Sequence, residues 1–184
     1  MHLILASASP RRQQLLAEAG VEFEVVVSPA EEIHDASIPL VNLCEQNAEL
    51  KARAVAEQHP KATVIGADTL VWIEGEPLGK PKSLNESREM LRKLSGRAHT
   101  VCTGVCIFDS IDRVNRFHDL TLVRFKEFDE SVIEEYIQTV DTLDKAGAYG
   151  IQERGDLLVE SIEGAFDNVM GLPVSKVIEA LRGD

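Results

Sequence analysis

The chain has 184 residues, of which 44% are hydrophobic and 27% charged, and a formal net charge of −12. This composition is typical of a globular protein long enough to bury a core. The acidic balance argues against duplex nucleic acid or a membrane surface as partner, because both select clustered positive charge. No apolar stretch approaches the roughly 20 residues of a membrane span and no leader pattern opens the chain, so we expect a cytoplasmic protein.

The chain begins with a pattern suited to holding an anion. A short strand is predicted at residues 3–5, with Ser9 as the N-cap and Pro10 as the first residue of the helix that follows. Arg11 and Arg12 fall in the first helical turn, where the helix dipole disfavours each cation by about 0.3–1 kcal/mol. A phosphate chain bound by the arginines and the free amides would offset this unfavourable interaction. The alternative is a pair of solvated arginines.

Strands and helices alternate through the first half of the chain. Gly20 closes the first helix, a strand is predicted at residues 23–27, and an acidic loop follows at residues 31–35. Pro39 can open a second helix that ends before Pro60.

A third strand is predicted at residues 63–67, with Asp68 and Thr69 at its carboxyl end, and residues 71–73 run into a turn at Gly75. The carboxyl edge is where α/β sheets place their ligands, so Asp68 could bind a metal or take a proton from water. The alternative for Asp68 is an N-cap or turn residue.

Helices and a hairpin are predicted in the second half. A capping box of Ser83 and Glu86 opens a helix that stops at Gly96. Residues 99–108 and 114–125 flank a polar turn at residues 109–113, as in a long β-hairpin. Further predictions are a helix capped by Asp129, an irregular segment at residues 144–152, a strand at 157–162 and a last helix from Pro173 to Leu181.

Other charged residues suggest more of an anion site. Lys51 and Lys80 could join the two arginines as counter-charges to a triphosphate, although each alone reads as a solvated lysine. Glu32 could join Asp68 around a hard cation such as Mg²⁺, or be one member of an exposed acidic run, and its neighbour Glu31 could serve instead.

Three cysteines, Cys44, Cys102 and Cys106, form no CxxC pair, which suits a reducing compartment. We expect small buried hydrophobic residues here and not a zinc site. The P-loop, dinucleotide-binding, zinc-protease and nucleophile-elbow motifs are absent from the sequence.

Seven short segments span essentially the whole chain. They are residues 6–12 (ASASPRR), 66–71 (GADTLV), 79–81 (GKP), 94–99 (LSGRAH), 103–105 (TGV), 144–152 (DKAGAYGIQ) and 171–173 (GLP). Each alone is a weak signal, but in this order they resemble the Maf family of nucleoside triphosphate pyrophosphatases.

The resemblance implies hydrolysis of a nucleoside triphosphate to the monophosphate and pyrophosphate with a divalent cation, Mg²⁺, Mn²⁺ or Co²⁺. It implies one domain over residues 1–184 with an α/β (mixed α+β) fold similar to inosine triphosphate pyrophosphatases. In that fold an elongated mixed β-sheet is flanked by helices, and two lobes surround a central cleft. It also suggests a homodimer acting on small nucleotides, with neither a nucleic acid polymer nor a membrane as partner.

Site residues follow from the resemblance position by position. Asp68 matches the general base and, with Glu32, a metal ligand. The phosphate-binding positions are matched by Ser7, Arg12, Lys51 and Lys80, and the specificity positions by Arg11, Thr69 and Gln152. The specificity set is like that of enzymes acting on dTTP and UTP, whereas the 7-methyl-GTP branch carries tryptophan and glutamine at the first two positions.

One residue departs from the family pattern. Asn47 stands where the family usually has leucine, in the helix that carries Lys51. We expect this change to affect local packing more than chemistry.

Two other functions remain open, a non-catalytic nucleotide sensor linked to cell division and a phosphatase that removes the terminal phosphate.

Overall fold

The structure, a computed structural model, describes residues 2–110 and 113–183. Within these ranges the strands are β1 (Leu3–Leu5), β2 (Glu24–Val25), β3 (Thr63–Ile73), β4 (Glu76–Leu78), β5 (Ala98–Ser110), β6 (Arg113–Phe125) and β7 (Val159–Glu163). The helices are α1 (Pro10–Glu18), α2 (Leu40–Ala56), α3 (Leu84–Leu94), α4 (Glu130–Thr139), α5 (Gly155–Leu158), α6 (Phe166–Met170) and α7 (Val174–Arg182), with a 3₁₀ turn at Ala146–Ala148.

All of these strands belong to one mixed sheet in the order β2-β1-β3-β5-β6-β7, with β4 paired to β3. Strand β1 runs parallel to both β2 and β3, whereas β4 is antiparallel to β3 and β7 is antiparallel to β6. The mixed α/β fold expected from the sequence is therefore confirmed. None of the helices in the described ranges combines the length and apolarity that crossing a bilayer requires.

The described residues form two compact units. The first unit comprises those within Met1–Asp68, Thr103–Asp119 and Gly171–Asp184, and the second those within Thr69–Cys102 and Leu120–Met170.

The core of the first unit lies where α2 covers the sheet. Small side chains dominate it, which allows the helix to approach the strands closely. Its buried members are Ile4, Ala6, Ala48, Ala52, Val55, Ala56, Ala62, Val64, Cys106 and Phe108. Cys44 is also buried in this unit and Cys102 is buried in the second unit, and burial raises the pKa of the Cys106 thiol to about 12. The three cysteines are thus small core residues, as predicted.

The second unit is built on the pair α3 and α4, and both helices begin as predicted. Ser83 Oγ accepts from the Glu86 N–H at 3.2 Å, and Glu86 Oε2 accepts in turn from the Lys82 N–H at 2.7 Å. Asp129 Oδ1 caps α4 by accepting from the Ser131 and Val132 N–H groups at 3.0 and 3.3 Å.

The largest difference from the sequence prediction concerns β3. We expected a strand ending at Ala67, but β3 runs without interruption to Ile73, so Asp68 and Thr69 lie inside a strand. The chain turns at Glu74 and Gly75, both with positive φ, and returns as β4. The prediction was wrong because the polar pair was interpreted as a strand end, although no Gly or Pro stands between Gly66 and Gly75 to break the strand.

Smaller differences occur at other elements. The strand predicted at residues 23–27 is reduced to two exposed residues in β2, and the strand predicted at 157–162 starts only after the short helix α5. Helix α6 was not predicted. The turn predicted at residues 109–113 includes Ile111 and Asp112, which lie outside the described residues, but β5 and β6 are neighbours as a hairpin requires.

Candidate functional site

The turn between β1 and α1 carries a buried arginine. Pro10 opens α1 and Ser9 occupies the N-cap position in an extended conformation. The Ser7 hydroxyl accepts from the Ser9 N–H at 3.2 Å and from Arg12 Nη1 at 3.1 Å. Arg12 Nε donates to the Gly171 carbonyl at 2.8 Å. Arg12 is only 9% exposed, so it is an anchored guanidinium and not a solvated one.

Two carboxylates converge on one ammonium in the same unit. Lys51 Nζ, on α2, lies 2.6 Å from Asp68 Oδ1 and 2.7 Å from Glu32 Oε1. Asp68 is 3% exposed, whereas Glu32 projects from the loop before α2 and is partly exposed. The structure thus brings together Glu32, and not its exposed neighbour Glu31, with Asp68 and Lys51.

Asn47 completes this cluster. Its Nδ2 donates to Asp68 Oδ2 at 3.1 Å and to the Ile33 carbonyl at 3.2 Å, and its Oδ1 accepts from the Ile33 N–H at 2.7 Å. Asn47 was expected to affect packing more than chemistry; its side chain does more than pack, because it touches the central carboxylate directly. The signal in the sequence was a polar residue one helical turn before Lys51, on the same side of the helix.

Two glycines explain why α2 can lie so close to the sheet. A Cβ on Gly66 would stand 2.4 Å from the Ala48 carbonyl oxygen, and a Cβ on Gly104 would stand 2.4 Å from the Cys44 carbonyl carbon. Side chains at Gly66 and Asp68 point to the same face of β3, because strand side chains alternate. The segments GADTLV and TGV therefore provide the space that lets Asn47 and Lys51 reach Asp68.

Arg12 belongs electrostatically to the same cluster. Burial is the main cause that lowers the pKa of the Arg12 guanidinium, and the charge of Arg11 adds to this effect. The carboxylates of Asp68 and Glu32 act in the opposite direction and favour the charged form. The first unit thus contains one polar cluster, which consists of Ser7, Arg12, Glu32, Asn47, Lys51 and Asp68.

Thr69, Lys80 and Gln152 belong to the second unit. Thr69 is half-buried in β3, and Lys80 and Gln152 are exposed on two loops. These loops are joined, because the Gly147 N–H donates to the Gly79 carbonyl at 3.0 Å. Gly147 has φ +67°, and a Cβ there would lie 2.9 Å from Val71 Cγ2.

Two buried side chains, those of Tyr136 and Lys145, hold the loop of residues 144–152, which ends in Gln152. The Tyr136 hydroxyl accepts from the Gly150 N–H at 3.0 Å and donates to the Gly150 carbonyl at 3.3 Å. Lys145 Nζ contacts Asp144 Oδ1 at 2.7 Å and Glu153 Oε1 at 3.2 Å. The irregular segment predicted from the two glycines is therefore an ordered loop.

The carboxylate pair has the chemistry of a site for a hard cation. Mg²⁺ in proteins is bound through one or two carboxylates together with substrate phosphates. Asp68 and Glu32 already direct one oxygen each towards a single positive charge. Across the described residues, no group of three or more His, Cys, Asp or Glu side chains is placed to hold a metal ion. The carboxylate pair therefore suits a cation that takes its remaining ligands from a phosphorylated molecule.

Comparison with known proteins agrees with the fold. The chain has the fold of a Ham1 protein from Staphylococcus aureus, with a TM-score of 0.56 over 100% of this chain and 99% of that one at 17% identity. The family model described as Maf-like protein matches residues 2–183, and the chain belongs to the Maf family.

Curated relatives are similar along nearly the whole chain. A dTTP/UTP pyrophosphatase from Akkermansia muciniphila is 50% identical over 181 residues, covering 98% of this chain and 95% of the relative. A dTTP/UTP pyrophosphatase from Bacillus velezensis is 47% identical over 180 residues, with coverage of 98% and 95%.

Proposed function

We propose that this protein hydrolyses dTTP and UTP to the nucleoside monophosphate and pyrophosphate, using a divalent cation such as Mg²⁺, Mn²⁺ or Co²⁺. One observation carries the proposal. Two carboxylates, from Asp68 and Glu32, meet at the Lys51 ammonium in a cluster that also contains the buried Arg12. The name shared by the two relatives supports the choice of substrate.

Positive side chains bind the triphosphate in this proposal. Arg12, Lys51 and Lys80 neutralise its oxygens, and the Ser7 hydroxyl orients Arg12. Charge that develops on the leaving pyrophosphate is then compensated in advance, which is the main requirement of phosphoryl chemistry. Asp68 and Glu32 would hold the divalent cation, which would supply further positive charge to the phosphate oxygens.

Asp68 acts as the base. It accepts a proton from a water molecule whose oxygen bonds to the α-phosphorus, and the bond from the α-phosphorus to the bridging oxygen breaks to release pyrophosphate. Lys51 and Asn47 each occupy one site on the Asp68 carboxylate. Since an ionised carboxylate offers about four acceptor sites, the capacity to bind the water remains.

Selectivity for the nucleobase comes from Gln152, Thr69 and Arg11. The Gln152 amide offers a donor and an acceptor to a pyrimidine edge, Thr69 is a smaller partner, and purines are rejected by size. dTTP and UTP differ at the 5-methyl group and the 2′-hydroxyl, so a site that takes both requires neither group. We expect turnover of both nucleotides.

Product analysis tests this function. The purified protein is incubated with dTTP, UTP, CTP, ATP or 7-methyl-GTP plus Mg²⁺ or Mn²⁺, and the products are separated by chromatography. We expect pyrophosphate from dTTP and UTP. Binding without turnover would indicate a nucleotide sensor, and orthophosphate with a diphosphate would indicate a phosphatase. Similar rates with ATP would contradict the proposed selectivity for pyrimidine nucleotides.

Carboxylate variants test the residue roles. Asp68→Asn should lower kcat by at least about 10²–10⁴-fold, the usual contribution of a positioned base. Glu32→Gln should lower activity strongly, whereas Glu31→Gln should have little effect, because Glu31 is exposed and its neighbour contacts Lys51. Near wild-type turnover of dTTP by Asp68→Asn would contradict the assignment.

We also propose that the protein works in the cytoplasm on free nucleotides and not on nucleic acid polymers, as a homodimer. Two-fold dimers are the commonest assembly of soluble proteins, and the acidic chain offers little attraction to a nucleic acid polymer. Light scattering of the purified protein measures the assembly, and a monomeric mass at micromolar concentration would contradict it.

A further inference from the structure

Asn47 has the geometry of a two-sided clamp. On one side it forms two hydrogen bonds with the backbone of Ile33, the residue that follows Glu32, and on the other it donates to Asp68 Oδ2. The residue is 1% exposed, so these contacts replace water completely. A buried amide that satisfies both a loop backbone and a carboxylate ties the two together.

We propose that Asn47 is a positioning residue for the reaction, which fixes the Asp68 carboxylate and the loop carrying Glu32 relative to each other. This inference rests on the proposed function and adds to it a residue at which the chain departs from the usual leucine of its family. Asn47 touches no reacting atom in this account, and it acts through the two carboxylates.

The chemistry of the groups fixes which way the amide faces. An ionised carboxylate only accepts hydrogen bonds, so Asn47 Nδ2 must face Asp68. The same orientation places Oδ1 against the Ile33 N–H, at 2.7 Å. Both halves of the amide are therefore used, and neither can turn without losing a partner on the opposite side.

Lys51 cannot provide the same restraint. Its ammonium stands at the end of a flexible four-carbon chain, and in the proposed reaction it also neutralises phosphate oxygens. Asn47 has a short side chain that the Ile33 backbone holds independently of Lys51. Asn47 thus keeps the orientation of Asp68 when the lysine changes partners.

Two variants separate the halves of the clamp. Asn47→Leu introduces the usual family residue and removes all three hydrogen bonds at similar volume. Asn47→Asp keeps an acceptor for the Ile33 N–H but replaces the amide donor to Asp68 with a second carboxyl group, which repels the Asp68 carboxylate when both are ionised. Asn168→Leu is the matched control, because Asn168 is also fully buried and donates to Val101 O and Thr121 Oγ1 in the second unit.

Steady-state kinetics with dTTP give the first measurement. Removing an outer partner of a functional carboxylate typically costs about 10–100-fold in activity, and we expect a fall of this size in kcat for Asn47→Leu. KM should stay near its wild-type value, because the orientation of the base matters in the transition state. Asn168→Leu should lower the melting temperature but leave kcat unchanged.

Hydrogen–deuterium exchange of peptides covering residues 32–35 gives a measurement independent of turnover. Exchange should speed up in Asn47→Leu, which leaves the Ile33 N–H without its acceptor. It should stay close to wild type in Asn47→Asp, although kcat of that variant falls. Should Asn47→Leu fail to fold, Asn47→Asp still tests the contact with Asp68.

The possible failures are distinguishable. An active wild type with Asn47→Leu or Asn47→Asp at more than half of the wild-type kcat would overturn the positioning role and leave the proposed function intact. A fall in kcat matched by Asn168→Leu would do the same, since it would reflect general destabilisation. A wild type that releases no pyrophosphate would overturn the proposed function, and the positioning role with it.

Discussion

Acid should destabilise this protein through one buried histidine. His99 is 2% exposed in β5, its Nε2 lies 2.8 Å from the Tyr149 hydroxyl oxygen, and its ring meets Phe125 edge-on at 4.8 Å. Its Nδ1 is buried with no hydrogen-bond partner among the described residues. Burial lowers the pKa of His99 from 6.5 to about 4, because a charged imidazolium could not be hydrated there.

The sign and size of the effect follow from that shift. Since the folded-state pKa lies below the unfolded one, the unfolded state binds more protons between pH 6.5 and about 4. The contribution of His99 is thus fully present above pH 6.5 and is lost as the pH falls through about 4. At about 1.4 kcal/mol per pH unit, the gap corresponds to about 3 kcal/mol of unfolding free energy.

The variant His99→Gln removes the titration and keeps a polar side chain that can bond to Tyr149. Urea unfolding at 25 °C over pH 4–7.5 gives the free energy of unfolding of both proteins. We expect the wild type to be more stable near pH 7 and the difference to shrink by about 3 kcal/mol towards pH 4. The other histidines are common to both proteins and cancel. Parallel pH profiles would refute the reasoning.

Two further predictions concern the backbone around the cluster and the loop. Gly66→Ala should cost about 1–3 kcal/mol by overpacking against the Ala48 carbonyl and should also lower kcat, because α2 must move away from Asp68. Thermal unfolding and dTTP turnover measure this, and Gly155→Ala, with room for a Cβ, is the control. Tyr136→Phe should cost about 1–3 kcal/mol by leaving both polar groups of Gly150 without the hydroxyl. It should also reduce the ratio of kcat/KM for dTTP over ATP, and an unchanged ratio would show that the loop keeps its shape without this bond.

Local rules predicted the elements that depend on local contacts. The Ser83–Glu86 box and the Asp129 cap each join residues within one turn, so the sequence suffices to locate these helix starts. The extent of β3 depends instead on its partner strands and on the turn at Glu74 and Gly75. Asp68 and Thr69 were polar enough to suggest a strand end, but β3 continues through them to Ile73, where it pairs with β4.

The same distinction holds for the site. The place of Arg12 in the first turn of α1 could be predicted as an anion-binding position from the helix dipole, whereas Ser7, five residues away, was assigned only through the family resemblance. The contact of Lys51 with Asp68 spans 17 residues and required the family resemblance. The contacts of Asn47 could not be predicted, because its partners lie 14 and 21 residues away, although its place one helical turn before Lys51 marked it as a polar residue on the same side of the helix.

The hydrogen bond from Gly147 to Gly79 couples the motions of the two loops of the second unit. With Gln152 on one loop and Lys80 on the other, a nucleobase that orders the first would also stiffen the second. If phosphate binding raises the affinity for the nucleobase, nucleobase binding must raise the affinity for phosphate by the same factor. In the proposed function, free pyrophosphate, which has no nucleobase, would then bind less tightly than the same phosphate groups within the intact nucleotide, and its release would become easier once the nucleoside monophosphate has departed.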